Sequence, residues 1–385
     1  MKKLTSILIF SLYLYGVGWA GILGNKDRDD DTRLTKVIER GFKVRSNVTI
    51  DLSNKYGQVI LNSWDRDSVA INIQITAYGK NDDAVEKLMD RVDFDFNNTA
   101  NFLTIETVFD RNSGVFKELW NSVSDASKTL ISKSRITVDY EIYVPAKSTV
   151  ELINRFGNIY INQHSGKLLV DLSHGDFRAS NLEAPLDLTL GYGRANIRAI
   201  REARINLKGG ELDINRASQL DLESTSSEVY IQDVSSLRLD SRNDEMRLDE
   251  VGYIAGKANF SDLQIGQLFE STDIDLLYGE LDISTVMASF SRIRINGRTA
   301  DVQLNFDPLS NFRIDLFGRQ ERIILPTAMA EFQSVEDEDD NKNVRISGIY
   351  GQGNGSKTVD VEIDNGDLII TLEEPVPYTT KQRKN

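Results

Sequence analysis

The stretch FGNIYI at residues 156–161 joins a short bend to a strand, and it recurs along the chain at a nearly fixed spacing. A similar string, YGQVIL, occupies residues 56–61. Further copies begin at His174, Tyr192, Gly209, Ser226, Asn243, Phe260, Tyr278 and Thr299. From Phe156 to Thr299 the copies lie 18, 18, 17, 17, 17, 17, 18 and 21 residues apart. Such a period indicates a repeat architecture.

Each repeat contains two strands and a corner. The strand before the bend, such as LLVDL at residues 168–172, alternates apolar and polar residues as a half-buried strand does. An apolar corner residue follows later in the repeat, as at Leu182 and Ile200. One unit cannot bury its apolar face alone, so the units must stack. The sequence therefore predicts an all-β fold, a single-stranded parallel β-solenoid with 17–18 residues per rung. We favour a right-handed β-helix, because the aliphatic residue at every sixth position of a left-handed hexapeptide helix is missing.

Two expectations concern the bend. The glycine in second place, such as Gly157, is expected to supply a positive φ, which glycine adopts without strain. The first place is often aromatic, and we expect these rings to fill the inside of the bend. They are Phe156, Tyr192, Phe260 and Tyr278. A ladder of exposed rings that stacks on sugars is the alternative.

The ends of the chain differ from the repeat. Lys2 and Lys3, the apolar stretch 4–17 and the small residues Gly18 and Ala20 predict a cleaved signal peptide, with an uncleaved anchor as the alternative. Helices are expected at residues 82–91 and 114–131, where they could cap the solenoid. The expected divisions are 1–20 signal peptide, 21–40 flexible mature N-terminus, 41–145 first rung with a β/α capping excursion, 146–307 regular solenoid, 308–374 C-terminal rungs with an acidic loop, and 375–385 tail.

The composition argues against several kinds of chemistry. A net charge of -14 argues against a nucleic-acid partner, because phosphate binding needs a basic surface. The chain has no cysteine, which excludes disulfides, thiolate zinc sites and cysteine nucleophiles. The only histidines, His164 in the apolar corner column and His174 at a bend, are expected to be structural. No catalytic motif, phosphate loop or later membrane span is recognised. We therefore expect neither a cofactor nor enzymatic activity.

A column of carboxylates follows the bends, two positions after the start of each. Its members are Asp176, Glu211, Glu228, Glu245, Asp262, Glu280 and Asp301, and Arg194 interrupts them. We call this set the acidic column. Stacked like charges repel, so the column is a candidate edge for a divalent cation or a basic partner. The alternative is that acids at turns only keep the edge soluble.

A second column alternates in sign on the strand before the bend. Its members are Asp187, Arg204, Asp221 and Arg238. Side chains at equivalent positions of adjacent rungs are neighbours, so we expect a ladder of ion pairs here. Exposed pairs of this kind contribute little stability, so the ladder serves register and solubility.

The repeat resembles the putative-adhesin β-solenoid families of bacterial envelopes, which include the auto-transporter head-like domains. The matching stretches are residues 54–59, 144–145 with 154–159, and 364–369, and the resemblance covers about residues 40–372. It implies an exported, non-catalytic protein with an adhesive or scaffolding role in the periplasm, on the outer surface or in the medium. The partner would be an envelope protein or a glycan. A carbohydrate-active β-helix enzyme (lyase or glycosidase) and an envelope signalling component are the alternatives.

Overall fold

The computed structural model describes residues 22–26, 32–109, 135–329, 331–337, 342–352 and 355–372. The expected signal peptide, the second expected helix at 114–131 and the tail at 375–385 lie outside these residues. The described part is all-β, and its parallel strands stack in rungs. The predicted β-solenoid is therefore confirmed.

The strands follow one another with few interruptions. The N-terminal strands are β1 (Ile22–Lys26), β2 (Thr32–Lys43), β3 (Thr49–Lys55), β4 (Val59–Trp64), β5 (Ser68–Gly79), β6 (Val92–Asn98), β7 (Phe102–Phe109) and β8 (Arg135–Pro145). The central strands are β9 (Thr149–Arg155), β10 (Ile159–His164), β11 (Leu168–Ser173), β12 (Phe177–Leu182), β13 (Leu186–Gly191), β14 (Arg194–Lys208), β15 (Glu211–Thr225), β16 (Glu228–Arg242), β17 (Glu245–Asn259), β18 (Asp262–Val286) and β19 (Arg292–Phe306). The C-terminal strands are β20 (Phe312–Arg319), β21 (Ile323–Ile324), β22 (Gln333–Glu336), β23 (Asn343–Tyr350), β24 (Thr358–Ile363) and β25 (Leu368–Leu372). The described helices are α1 (Asp82–Met89) and the short 3-10 helices Gln320–Arg322 and Thr327–Met329.

Successive rungs pair in register on both sides of each bend. Leu212 of β15 pairs with Val229 of β16, which pairs with Met246 of β17. All three side chains are buried. Equivalent apolar residues thus lie one above another, and each fully buried aliphatic side chain contributes about 1.5–3 kcal/mol. The repeat period is therefore the spacing that keeps the core continuous.

The N-terminal end contains one rung more than the sequence suggested. β3 and β4 stack on β9 and β10, and on their other side they pair with β7 and β8. Antiparallel β5 and β2 then extend the sheet beyond β8. Residues 32–40, which were expected to be flexible, instead lie in β2, whose whole length pairs with β5.

The helix expected at residues 82–91 is α1. Asn81 caps its N-terminus, because the side-chain oxygen accepts a hydrogen bond of 2.9 Å from the N–H of Ala84. Val85, Leu88 and Met89 form its buried face, which packs on β2 and β5. The helix therefore lies on the sheet at the N-terminal end of the solenoid.

Chain order and spatial order differ at the C-terminal end. β24 lies between β19 and β20, and β25 lies between β19 and β21. The last strand–bend–strand unit thus inserts between two rungs that precede it in the chain. Antiparallel β23 and β22 extend the sheet beyond β20. The acidic loop expected at 336–343 lies partly outside the described residues.

Candidate functional site

The first residue of each bend has a left-handed backbone. Its φ lies between 52° and 62° at Tyr56, Phe156, His174, Tyr192, Ser226, Asn243, Phe260, Tyr278 and Thr299, and it is 60° at Gly209. A side chain held in this conformation costs of order 1–3 kcal/mol. The expectation that the second-place glycine supplies the positive φ is therefore wrong, since Phe156 and not Gly157 adopts it.

The glycine in second place instead allows the rungs to approach closely. A β-carbon on Gly157 would lie 1.9 Å from the carbonyl oxygen of Gly57. One on Gly175 would lie 2.1 Å from the carbonyl oxygen of Gly157. No side chain fits at these distances, so the close approach of these rungs requires glycine at 157 and 175, whereas later rungs carry Ser227 and Asp244 in second place.

The aromatic residues in first place point out of the solenoid. Tyr192 and Phe260 are each 58% exposed, and Tyr278 is 45% exposed. The expectation that the rings fill the inside of the bend is therefore wrong for these three, and Phe156 is half-buried. The interior at this level is already filled by fully buried residues of the flanking strands, such as Leu190 and Ala195.

The rings in first place form two stacks along the bend edge. The first stack runs through Tyr56, Phe156, His174 and Tyr192. Its successive ring centroids are 5.5, 5.0 and 5.2 Å apart. The second stack pairs Phe260 with Tyr278 at 4.9 Å. Each stacked aromatic pair stabilises by about 0.5–1.5 kcal/mol, which offsets part of the strain of the left-handed backbone.

A gap separates the two stacks. The rungs between them carry Gly209, Ser226 and Asn243 at the first bend position. Nδ2 of Asn243 donates a hydrogen bond of 3.3 Å to Oγ of Ser226. An open groove of about 690 Å³ lies over these residues, with Tyr192 in its lining. We call it the bend groove, and Phe260 lies one rung beyond Asn243.

Part of the acidic column lines the bend groove. Glu211 accepts a hydrogen bond of 2.8 Å from Nε of Arg194, and Nη2 of Arg194 lies 2.7 Å from the same carboxylate oxygen. Glu228 and Glu245 follow at the equivalent positions of the next rungs, and both are exposed. The groove therefore combines an aromatic ring with hydrogen-bond acceptors and one paired arginine.

The remaining acids of the column lie at or beyond the two ends of the groove. Asp176, which also lines it, forms a 3.5 Å ion pair with Arg178. Asp262 and Glu280 continue the column, and Asp301 accepts a 2.8 Å hydrogen bond from the backbone N–H of Asp367. In the described part of the chain, no three His, Cys, Asp or Glu side chains are grouped to hold a metal ion. Cation binding by the column stays a prediction.

A buried carboxylate next to the groove floor was missed from the sequence. Asp244 is 5% exposed, and its Oδ2 accepts hydrogen bonds of 2.7 Å from the hydroxyls of both Ser224 and Ser241. Its Oδ1 accepts a 2.8 Å bond from the backbone N–H of Ser227. These donors satisfy a buried charge and join two adjacent bends. The sequence signal for this network was that Ser227 and Asp244 replace glycine at the second position of their bends.

The predicted ion-pair ladder is confirmed at its centre. Arg204 and Arg238 both contact Asp221, at 3.9 and 3.2 Å. Asp187 lies in register with Arg204 on the preceding rung. Arg204 and Arg238 are exposed and Asp221 is half-buried, so each ion pair contributes less than about 1 kcal/mol to the stability of the fold.

A closed polar cluster lies on the outward face after the bend. The hydroxyl of Tyr230 donates a 2.6 Å hydrogen bond to Oδ2 of Asp249, and Nε of Arg247 lies 3.4 Å from Oδ1. Burial and the adjacent Asp249 raise the pKa of Tyr230. Both oxygens of Asp249 are thus engaged within the protein, and this carboxylate is buried.

The two histidines take the positions expected for them. His164 is buried, with Nδ1 2.8 Å from Oγ of Ser63 and Nε2 2.8 Å from the carbonyl oxygen of Ser148. Desolvation lowers the pKa of His164. His174 is exposed and belongs to the first stack.

Comparison with solved structures finds proteins that are distant from this chain in sequence. No protein-family model and no curated protein matches the chain. A putative adhesin from Bacteroides fragilis is 13% identical, with a TM-score of 0.33 over 70% of this chain and 97% of that one. A putative adhesin from Parabacteroides distasonis is 10% identical, with a TM-score of 0.36 over the same shares. A putative lipid binding protein from Parabacteroides distasonis is 9% identical, with a TM-score of 0.28 over 88% of this chain and 97% of that one.

The solenoid assignment rests on the strand registers. Across the described ranges, no helix is long and apolar enough to cross a bilayer.

Proposed function

We propose that the chain is an exported, non-catalytic envelope protein with an adhesin-like role, which binds its partner along the bend edge. The predicted signal peptide supports export. The observation that carries the binding role is the exposed ring of Tyr192, held at the mouth of the bend groove by a left-handed backbone. Strained residues concentrate where a protein binds or reacts. Exposed apolar surface is also typical of interaction sites.

The carboxylates of the groove favour binding over catalysis. A glycosidase needs two carboxyl groups with separate roles, and a different environment around each one sets those roles. Glu228 and Glu245 are both exposed at equivalent positions of adjacent rungs, so neither has the buried environment that sets a general acid apart. The buried Asp249 is engaged by Tyr230 and Arg247.

The test measures how well the immobilised full chain retains envelope fragments from the source cells. The variant Tyr192→Asn removes the ring and keeps the bend, because Asn243 already adopts φ 56° at the equivalent position. The matched control is Tyr253→Asn, which removes a partly exposed ring from a strand. We expect at least a tenfold loss of retention for Tyr192→Asn and none for the control. Equal retention by both variants, or no retention by the unmodified chain, overturns the proposal.

Two further arms separate the alternatives. If a chelator lowers retention, the acidic column binds a cation. If the chelator leaves retention unchanged, the hypothesis of a cation site in the acidic column is wrong. Release of new reducing ends or unsaturated sugars from the retained material would identify a carbohydrate-active enzyme instead.

A further inference from the structure

We infer that the bend groove binds a glycan chain of neutral or amino sugars, with one sugar ring stacked on Tyr192. The inference rests on the proposed function and names the chemical class of the partner. It follows from the interrupted aromatic column, the size of the groove and the charge of its wall.

Among the described residues, one face of the Tyr192 ring has no aromatic neighbour. Its other face stacks on His174, with the ring centroids 5.2 Å apart. On the next rung stands Gly209, and a β-carbon there would lie 3.1 Å from the Tyr192 ring. The stack therefore ends on a backbone, at a position where a ligand ring can continue it. The negative face of an aromatic ring attracts the C–H groups of such a ligand.

The gap is too long for a single ring or a metal ion. Rungs lie ~4.8 Å apart, so the four steps from Tyr192 to Phe260 span roughly 19 Å. The groove is open to solvent along its length and has a volume of about 690 Å³. Ser226 and Asn243 on its floor add hydroxyl and amide groups. A short run of sugar residues matches this size and polarity.

The wall of the groove selects the charge of the ligand. Ionised carboxylates only accept hydrogen bonds, so the exposed Glu228 and Glu245 favour a ligand that carries hydrogen-bond donors. Sugar hydroxyls and protonated amino groups are such donors. Polyanions are repelled, because the only arginine in the lining, Arg194, is paired with Glu211. Uronate, sulfated and nucleic-acid chains are therefore disfavoured.

The backbone at this edge disfavours an extended peptide. Backbone groups of the bends already bond between rungs, as from Gly209 N–H to Thr225 and from Ser226 N–H to Arg242. A peptide that adds as a strand needs unpaired backbone groups. A ligand that stacks on the Tyr192 ring and donates hydrogen bonds to side chains does not need unpaired backbone groups.

The test uses the full chain on an array of neutral, amino-sugar and acidic oligosaccharides, followed by calorimetry with the best tetrasaccharide. Ser226→Tyr fills the gap, and tyrosine already stands at the equivalent position in Tyr192 and Tyr278. Tyr192→Asn removes the platform, and Tyr253→Asn is the control. Circular dichroism checks that each variant folds. We expect neutral or amino sugars to bind, acidic ones not to bind, and both groove variants to weaken binding at least tenfold.

The outcomes separate the inference from the proposed function. If envelope retention depends on Tyr192 while no neutral or amino sugar binds, the glycan inference is wrong and the bend-edge function stands. A lysine-rich peptide that binds in its place would identify a basic partner. Sugar binding that survives Ser226→Tyr also overturns the inference. If the chain retains neither sugars nor envelope fragments, both proposals fail.

Discussion

The ring of Tyr192 lies against the backbone of Gly209, where a β-carbon would be 3.1 Å from the Cδ1 and Cε1 atoms of the ring. Each earlier ring of the first stack rests on the next ring, whereas the rung after Tyr192 carries Gly209 at this position. The end of the aromatic stack and the start of the bend groove are therefore one feature. Both begin where Gly209 takes the place of an aromatic residue at the first bend position.

Gly157→Ala should destabilise the protein strongly. The new β-carbon would lie 1.9 Å from the carbonyl oxygen of Gly57, and neither backbone can move without displacing its rung. We expect a loss of about 3 kcal/mol or more in the free energy of unfolding, measured with urea. Gly41→Ala is the matched control, because nothing lies within 4 Å of its β-carbon position. Equal effects of the two changes would refute close stacking as the role of Gly157.

Asp244→Asn should destabilise the protein by about 2–3 kcal/mol, because an amide nitrogen would face donors that the carboxylate now satisfies. Those donors include the hydroxyls of Ser224 and Ser241. Asp262→Asn, on the exposed acidic column, is the control and should change stability by less than about 0.5 kcal/mol. Chemical denaturation compares the two, and a neutral result at Asp244 would show that the network is dispensable.

Glu245→Gln should stabilise the protein by a few tenths to about 1 kcal/mol at low ionic strength. Glu245 lies in register with Glu228 and Asp262, so removing its charge relieves repulsion on both sides. The gain should shrink in high salt because screening weakens the repulsion.

Glu211→Gln is the control for this change, since it breaks the pair with Arg194 and brings no comparable gain. Thermal unfolding at two salt concentrations provides the measurement. Loss of stability in Glu245→Gln would contradict the repulsion. Strong stabilisation of the unmodified chain by Ca²⁺ would show that the column binds cations.

His164 should make stability depend on pH. Burial lowers the pKa of His164 below the usual 6.5. Between the folded and unfolded pKa values, the unfolded chain therefore binds a proton that the folded chain does not bind. The stability that neutral His164 contributes is complete above pH 6.5, and it is lost as the pH falls towards the pKa of His164 in the folded chain. His164→Gln should flatten the unfolding free energy in this window. His174→Gln, at an exposed position, should leave the dependence in place, and identical profiles for both variants would contradict the assignment.

The solenoid could be predicted because its signals are local. Leu212, Val229 and Met246 recur at the repeat period, and the same period brings them into register. The bend could not be assigned correctly from the same signals. Gly157 is needed because another rung approaches it closely. In the sequence alone, such a glycine cannot be told apart from one that is needed for a positive φ. Phe156 is aromatic in a mostly apolar repeat, so it resembled a core residue.

Two other features depend on contacts between distant segments. β24 inserts between β19 and β20, and no local pattern encodes that order. The groove was visible in the sequence only as the change from Tyr192 to Gly209, Ser226 and Asn243. That change indicates a surface groove only when the structure shows that the first bend position faces solvent.

Hydroxyl-radical footprinting of the full chain, with and without retained envelope material, tests the central claim most directly. The claim is that a partner occupies the bend groove between Tyr192 and Phe260. Binding should lower the oxidation of both rings and leave the oxidation of Tyr253 unchanged. Unchanged oxidation of Tyr192 in material that remains bound would contradict the claim.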